Sequence, residues 1–107
     1  MTQVSNMRLG EPYDICVMRQ DAPFHWGNPF SHKRLSRAEI VLPTRHDAVV
    51  AFADWLAGRK WQHIEPRRRQ WMLDNLLTLK GKILGCCCAP AECHADILAR
   101  AAENKPF

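Results

Sequence analysis

The sequence predicts a single small α/β domain: a short parallel sheet flanked by three helices, in the order strand, loop, helix, helix, strand, helix. Three observations carry this prediction. Two short runs, residues 13–18 and 83–88, are rich in apolar and strand-forming residues. Two helical patterns stand between them, and a third follows the second run. The chain has 107 residues, enough for one core. The domain is expected over residues 12–104, with residues 1–11 as a flexible lead-in.

The first strand, YDICVM, ends at Arg19. Ligands of open α/β sheets bind beyond the carboxyl ends of strands, so Arg19 is a candidate for holding an anion. Residues 22–43 are irregular and rich in proline. They contain Trp26-Gly27-Asn28-Pro29-Phe30, in which two large rings flank turn-forming residues. The loop is read either as a binding element or as a packed plug, with Trp26 and Phe30 in the core. A helix is expected over residues 44–56, capped by Thr44, with Val49, Phe52, Ala53 and Leu56 on one face and Gly58 as its stop. Arg45 falls in its first turn, against the helix dipole, which points to an acidic partner or ligand. A second helix, residues 66–79, opens on Pro66 and carries Arg67, Arg68 and Arg69 at its start.

The run ILGCCC, residues 83–88, reads as a strand buried on both faces. A turn through Pro90 leads into a last helix over residues 92–103. Alternation puts Cys86 and Cys88 on one face of the strand and Cys87 on the other. Cys93 and His94 then fall in the first helical turn, where a thiolate or another anion is favoured. Three readings follow. In the first, Cys88, Cys93, His94 and Asp96 line a site: His94 is acid or base, Asp96 orients it, and Cys93 or Cys88 is a nucleophile. In the second, Cys86, Cys88, Cys93 and His94 bind zinc, although the usual two separated ligand pairs are missing. In the third, the cysteines are buried small hydrophobes.

Net charge is +4, and the basic residues are bunched at Lys33, Arg34 and Arg37, at Arg59 and Lys60, and at Arg67 to Arg69. Such bunching attracts phosphate or nucleic acid, or forms a solvated helix face. No apolar run approaches the ~20 residues of a membrane span. Five cysteines, three of them consecutive, suit a reduced compartment, so a cytoplasmic location is expected.

Taken together, these residues resemble a phage and bacterial family, domain of unknown function 4326. The resemblance rests on Arg19 after the first strand, the WGNPF loop at 26–30, Arg45 opening a helix, and LKGKILGCCCAPAECHADIL at 79–98. Members often carry Trp where this chain has Cys87, which argues against a functional thiol there. The resemblance implies a fold and a shared site, but no reaction.

The leading expectation is a site that binds a nucleotide-like or other phosphate-bearing ligand, with processing of that ligand left open. Cys93, His94 and Asp96 would be catalytic, with Arg19, Trp26, Asn28, Arg45 and Cys88 binding the ligand. Trp26 would stack on a ring, and Asn28 would hydrogen-bond it. Replacing His94 or Cys93 should then remove function and leave the fold intact. The alternative is a non-catalytic phage protein that engages a host protein or nucleic acid through its basic face.

Overall fold

The computed structural model describes residues 1–33, 38 and 40–107. It has the predicted α/β architecture. Strands β1 (Gln3–Asn6), β2 (Ile15–Cys16), β3 (Phe30–Ser31) and β4 (Ile40–Val41) precede helices α1 (Arg45–Ala57) and α2 (Pro66–Asn75). Strand β5 (Ile83–Cys86) and helix α3 (His94–Ala102) follow. The main sheet has the order β1-β5-β2, and both pairings are parallel. Central β5 is the most apolar strand, as a strand paired on both edges should be. Strands β3 and β4 form a separate parallel pair.

Residues 1–11 are not a free lead-in. Residues 3–6 pair with β5 along its whole length, and a 3-10 turn follows at Met7–Leu9. The start of the chain is tied down from two sides. The Thr2 backbone N–H and hydroxyl both donate to Glu103 Oε1, at 2.7 and 2.9 Å. The same hydroxyl accepts from the Gly81 N–H at 3.0 Å. These hydrogen bonds hold the Glu103 carboxyl below its ordinary range. The segment looks polar in sequence because an edge strand pairs through its backbone, whatever its side chains.

Helix α1 is the best-specified element. Thr44 Oγ1 accepts from the Asp47 N–H at 3.0 Å, and Gly58 closes the helix at φ 84°, a left-handed value suited to glycine. Its Phe52, Trp55 and Leu56 are fully buried. Burial of such side chains contributes about 1.5–3 kcal/mol each. The second helical pattern is α-helical only to Asn75; Leu76–Leu79 tightens to a 3-10 turn before Gly81. Helix α3 packs chiefly on the 3-10 turn at Leu76–Leu79 and on α1, and also on β1 and β5. Its first residues therefore lie where the central strand ends.

Candidate functional site

A cleft of about 330 Å3 opens beside the end of β5. Cys86, Cys87, Cys88, Cys93 and His94 line it, with Arg19 and Met18 from the chain after β2. Asn28, Phe30, Ser31, His32 and Lys33 come from the loop and β3; Arg45, Ala48 and Val49 come from α1. Six of the eight expected site residues therefore share one cavity: Arg19, Asn28, Arg45, Cys88, Cys93 and His94. Trp26 and Asp96 do not line it. Lys33 and Glu92, which no motif singled out as site residues, do.

His94 is the hinge of the arrangement. Its Nε2 lies 2.8 Å from the Val17 carbonyl oxygen and 3.1 Å from that of Trp26. Two acceptors facing one ring nitrogen require that nitrogen to carry the hydrogen. Nδ1 is then bare when the ring is neutral, and it lies 3.5 Å from Cys93 Sγ. Burial lowers the imidazole pKa to about 4, with nearby Arg19 adding to the effect and the two carbonyls opposing it. The ring is neutral at pH 7. The Phe52 ring meets it edge-on at 5.1 Å between centroids.

Asp96 does not orient His94. Its Oδ2 accepts from the Cys93 backbone N–H at 3.2 Å and caps α3. The carbonyls of Val17 and Trp26 do the orienting, and no sequence pattern points to a backbone carbonyl from a distant segment. The capping carboxylate also occupies the helix start, so an anion is better served by the arginines than by the dipole. His94 bridges two distant segments, so replacing it affects the fold as well as the cleft.

The WGNPF loop is a plug. Trp26 is 7% exposed and packs against Trp71, with ring centroids 4.9 Å apart. It cannot stack on a ligand in the cleft. Asn28 is mostly committed to the fold: its Nδ2 donates to the Ala48 carbonyl at 3.1 Å, and its Oδ1 accepts from the Phe30 N–H at 2.9 Å. These bonds dock the loop on α1. Gly27 is required by close approach: a Cβ there would lie 2.6 Å from Arg19 Cα. The loop and the chain after β2 are thus pressed together, which positions Arg19.

The arginine run of α2 holds this loop in place. Arg68 is buried and donates from Nε and Nη2 to the two carboxylate oxygens of Glu65, at 2.9 and 3.0 Å. Its Nη1 donates to the carbonyls of His25 and Gly27, at 3.0 and 2.5 Å. Arg69 donates to the carbonyls of Trp55 and Leu56 at the end of α1. Two of the three arginines expected on a basic face are therefore consumed internally. Arg34 and Arg37 lie outside the described residues.

Arg19 and Arg45 differ. Neither makes a hydrogen bond or ion pair with the described residues, and both face the cleft. The acidic partner expected for Arg45 is not found among the described residues.

All five cysteines are free. Cys93 is buried, and hydrogen bonding to Cys86 and Cys88 together with burial pushes its thiol up. One S–H can serve only one of them at a time. Donation from Cys93, with further help from Cys87, Arg45 and Lys33, lowers the Cys88 thiol to about 5. Cys86 receives the same donor but is fully buried and lacks the cations. Both thiols are thus lowered, Cys86 to about 6 and Cys88 to about 5, and the donor Cys93 is raised far above its ordinary value. Of the two nucleophile candidates, Cys88 is half-buried at the cleft and Cys93 is buried. Among the described residues no three His, Cys, Asp or Glu side chains are arranged to hold a metal ion. No helix among them is long and apolar enough to cross a membrane.

Comparison with the curated proteins and with the solved structures returns no match. A family model does match, over residues 2–104 of 107, and so takes in the N-terminal edge strand as well as the Cys/His junction. The chain belongs to the family described as Domain of unknown function (DUF4326).

Proposed function

We propose that the cleft binds a small phosphate-bearing ligand with an apolar or ring portion, of the nucleotide-like class. The observation that carries this reading is charge without partners. Arg19, Lys33 and Arg45 line one cavity, and none of their side chains makes a hydrogen bond or ion pair with the described residues, although Arg45 and Lys33 act on the Cys88 thiol at longer range. Phe30, Ala48 and Val49 supply an apolar wall in the same cavity. Arginine is suited to phosphate because its planar fork donates two parallel hydrogen bonds. A cleft of about 330 Å3 lies within the usual size range of small-molecule sites. Processing of the ligand would fall to Cys88, the thiolate of the cluster, as nucleophile. Of the basic bunches that support the alternative of a nucleic-acid or host-protein binder, the run Arg67 to Arg69 has two of its three members committed to the fold.

Calorimetric titration with a panel of nucleoside monophosphates and inorganic phosphate tests this. Arg45→Ala and Arg19→Ala are expected to weaken binding by roughly tenfold or more each, since a charge-assisted hydrogen bond contributes about 1.5–3 kcal/mol. These two variants are cleaner probes than His94→Ala, which also disturbs the fold. Equal binding by wild type and the double variant, or no binding by wild type, overturns the proposal.

A further inference from the structure

We infer that Glu92 is the specificity residue of the cleft: its carboxylate accepts hydrogen bonds from the sugar hydroxyls of the ligand and so selects a ribose phosphate. The inference rests on the phosphate reading and deepens it.

The cleft carries one acid among its cations. Glu92 is the only carboxylate among the described residues that line it, against Arg19, Lys33 and Arg45. An acid in such company would ordinarily neutralise a cation. Among the described residues, however, its ion pair is with His46, which does not line the cleft. His46 Nδ1 lies 2.9 Å from Glu92 Oε1 and 3.1 Å from Oε2. A carboxylate only accepts, so Nδ1 carries the hydrogen and donates it between the two oxygens. One shared N–H takes up only part of the roughly four acceptor sites of a carboxylate. The oxygens are thus held from one side and keep capacity for further donors. The Glu92 side chain is 43% exposed and lines both the cleft and a neighbouring groove, so it stands on the rim between them. Val49 of α1 is shared by the same two cavities and puts the apolar wall beside it.

These neighbours narrow the chemistry of the donor. An ammonium group would be attracted by Glu92 and repelled by the three cations of the same cavity. A hydroxyl is uncharged and gains the carboxylate without that repulsion. A sugar that joins a phosphate to a ring meets all three parts of the cleft. The phosphate goes to the arginines and the ring to the wall of Phe30, Ala48 and Val49. Two neighbouring hydroxyls then go one to each oxygen of Glu92. His46 acts through Glu92 and is a positioning residue.

Calorimetry on the full chain tests this with the 5′-monophosphates of adenosine, guanosine, cytidine and uridine, their 2′,3′-dideoxy counterparts and inorganic phosphate. Wild type is expected to bind at least one ribonucleotide roughly tenfold or more tighter than its dideoxy counterpart, the size of a hydrogen bond to a charged group. Glu92→Ala should remove that preference and bind phosphate at least as tightly, because an anion leaves a cationic cleft. His46→Ala should lower the preference part of the way, whereas a merely structural loss would weaken both nucleotides together. Circular dichroism checks each fold; both side chains are exposed, and an exposed pair contributes little to stability. Equal binding of the two sugars by wild type, or a full preference surviving in Glu92→Ala, overturns this inference. The phosphate reading then stands if phosphate still binds through Arg19 and Arg45. Wild type that binds neither nucleotide nor phosphate overturns both.

Discussion

Two pairs of arginines look alike in the sequence and do opposite things. Arg68 and Arg69 sit in a basic run at the start of α2, where a solvated face is the natural expectation. Both are spent on carbonyls, and Arg68 also on the Glu65 carboxylate. Arg19 and Arg45 stand singly in the chain, yet their side chains make no hydrogen bond or ion pair with the described residues at the cleft. The contrast teaches that charge density along a chain is a poor guide to available charge. What matters is whether acceptors surround the group after folding. A saturated arginine is part of the scaffold; an unsaturated one in a cavity is a candidate for binding.

The contrast breaks most sharply at Arg68. Arg68→Ala should cost roughly 3 kcal/mol, since two carbonyls lose a buried charged donor while the Glu65 side of the pair is a third exposed. It would free the carbonyls of His25 and Gly27 and leave Glu65 in its left-handed conformation at φ 37° without the contact that holds it. Urea denaturation measures this, and Arg68→Lys should rescue little because a single ammonium cannot reproduce the fork.

His94 extends the comparison to pH. It titrates near 4 when folded and near 6.5 when free. The neutral ring is what the fold holds, so its contribution is complete above about pH 6.5 and declines as pH falls toward 4, where the unfolded chain binds the proton first. The expected loss from this group is at most about 3 kcal/mol, from 1.36 kcal/mol per pKa unit. Denaturation midpoints at pH 7 and pH 4 should differ accordingly. The difference should shrink in His94→Gln, which is itself less stable at pH 7.

Arg69→Ala should cost about 2 kcal/mol, since it removes two charged donors from the end of α1. Arg45→Ala should change stability by less than about 0.5 kcal/mol, as for a surface substitution without partners. A large loss of stability at Arg45 would mean that it is scaffold after all, and the distinction between the two pairs would fail.

Much of the fold is legible in the sequence because it is local. Thr44, Asp47 and Gly58 mark both ends of α1 within a few residues of one another. The run ILGC is apolar enough to be central, and it is. The N-terminal strand is not legible, because polar Gln3, Ser5 and Asn6 pair through their backbone with residues some eighty positions away. The site is half legible. Six residues named for it line one cavity, since the turn after β5 brings Cys88, Cys93 and His94 together by chain continuity. Trp26 and Asp96 carry suggestive chemistry and are used otherwise, one against Trp71 and one as a cap.

By itself, the order of residues determined the α/β class, the ends of α1, and the meeting of sulfur and imidazole where β5 gives way to α3. Periodicity and caps act over a few residues, so they are written in neighbours. Only the tertiary structure decided which polar groups are already satisfied. The carbonyl that fixes the His94 tautomer comes from Val17, 77 residues away, and Arg68 reaches Gly27 across 41. Hydrogen-bond saturation depends on which distant acceptors packing brings within about 3 Å. No local pattern encodes that distance.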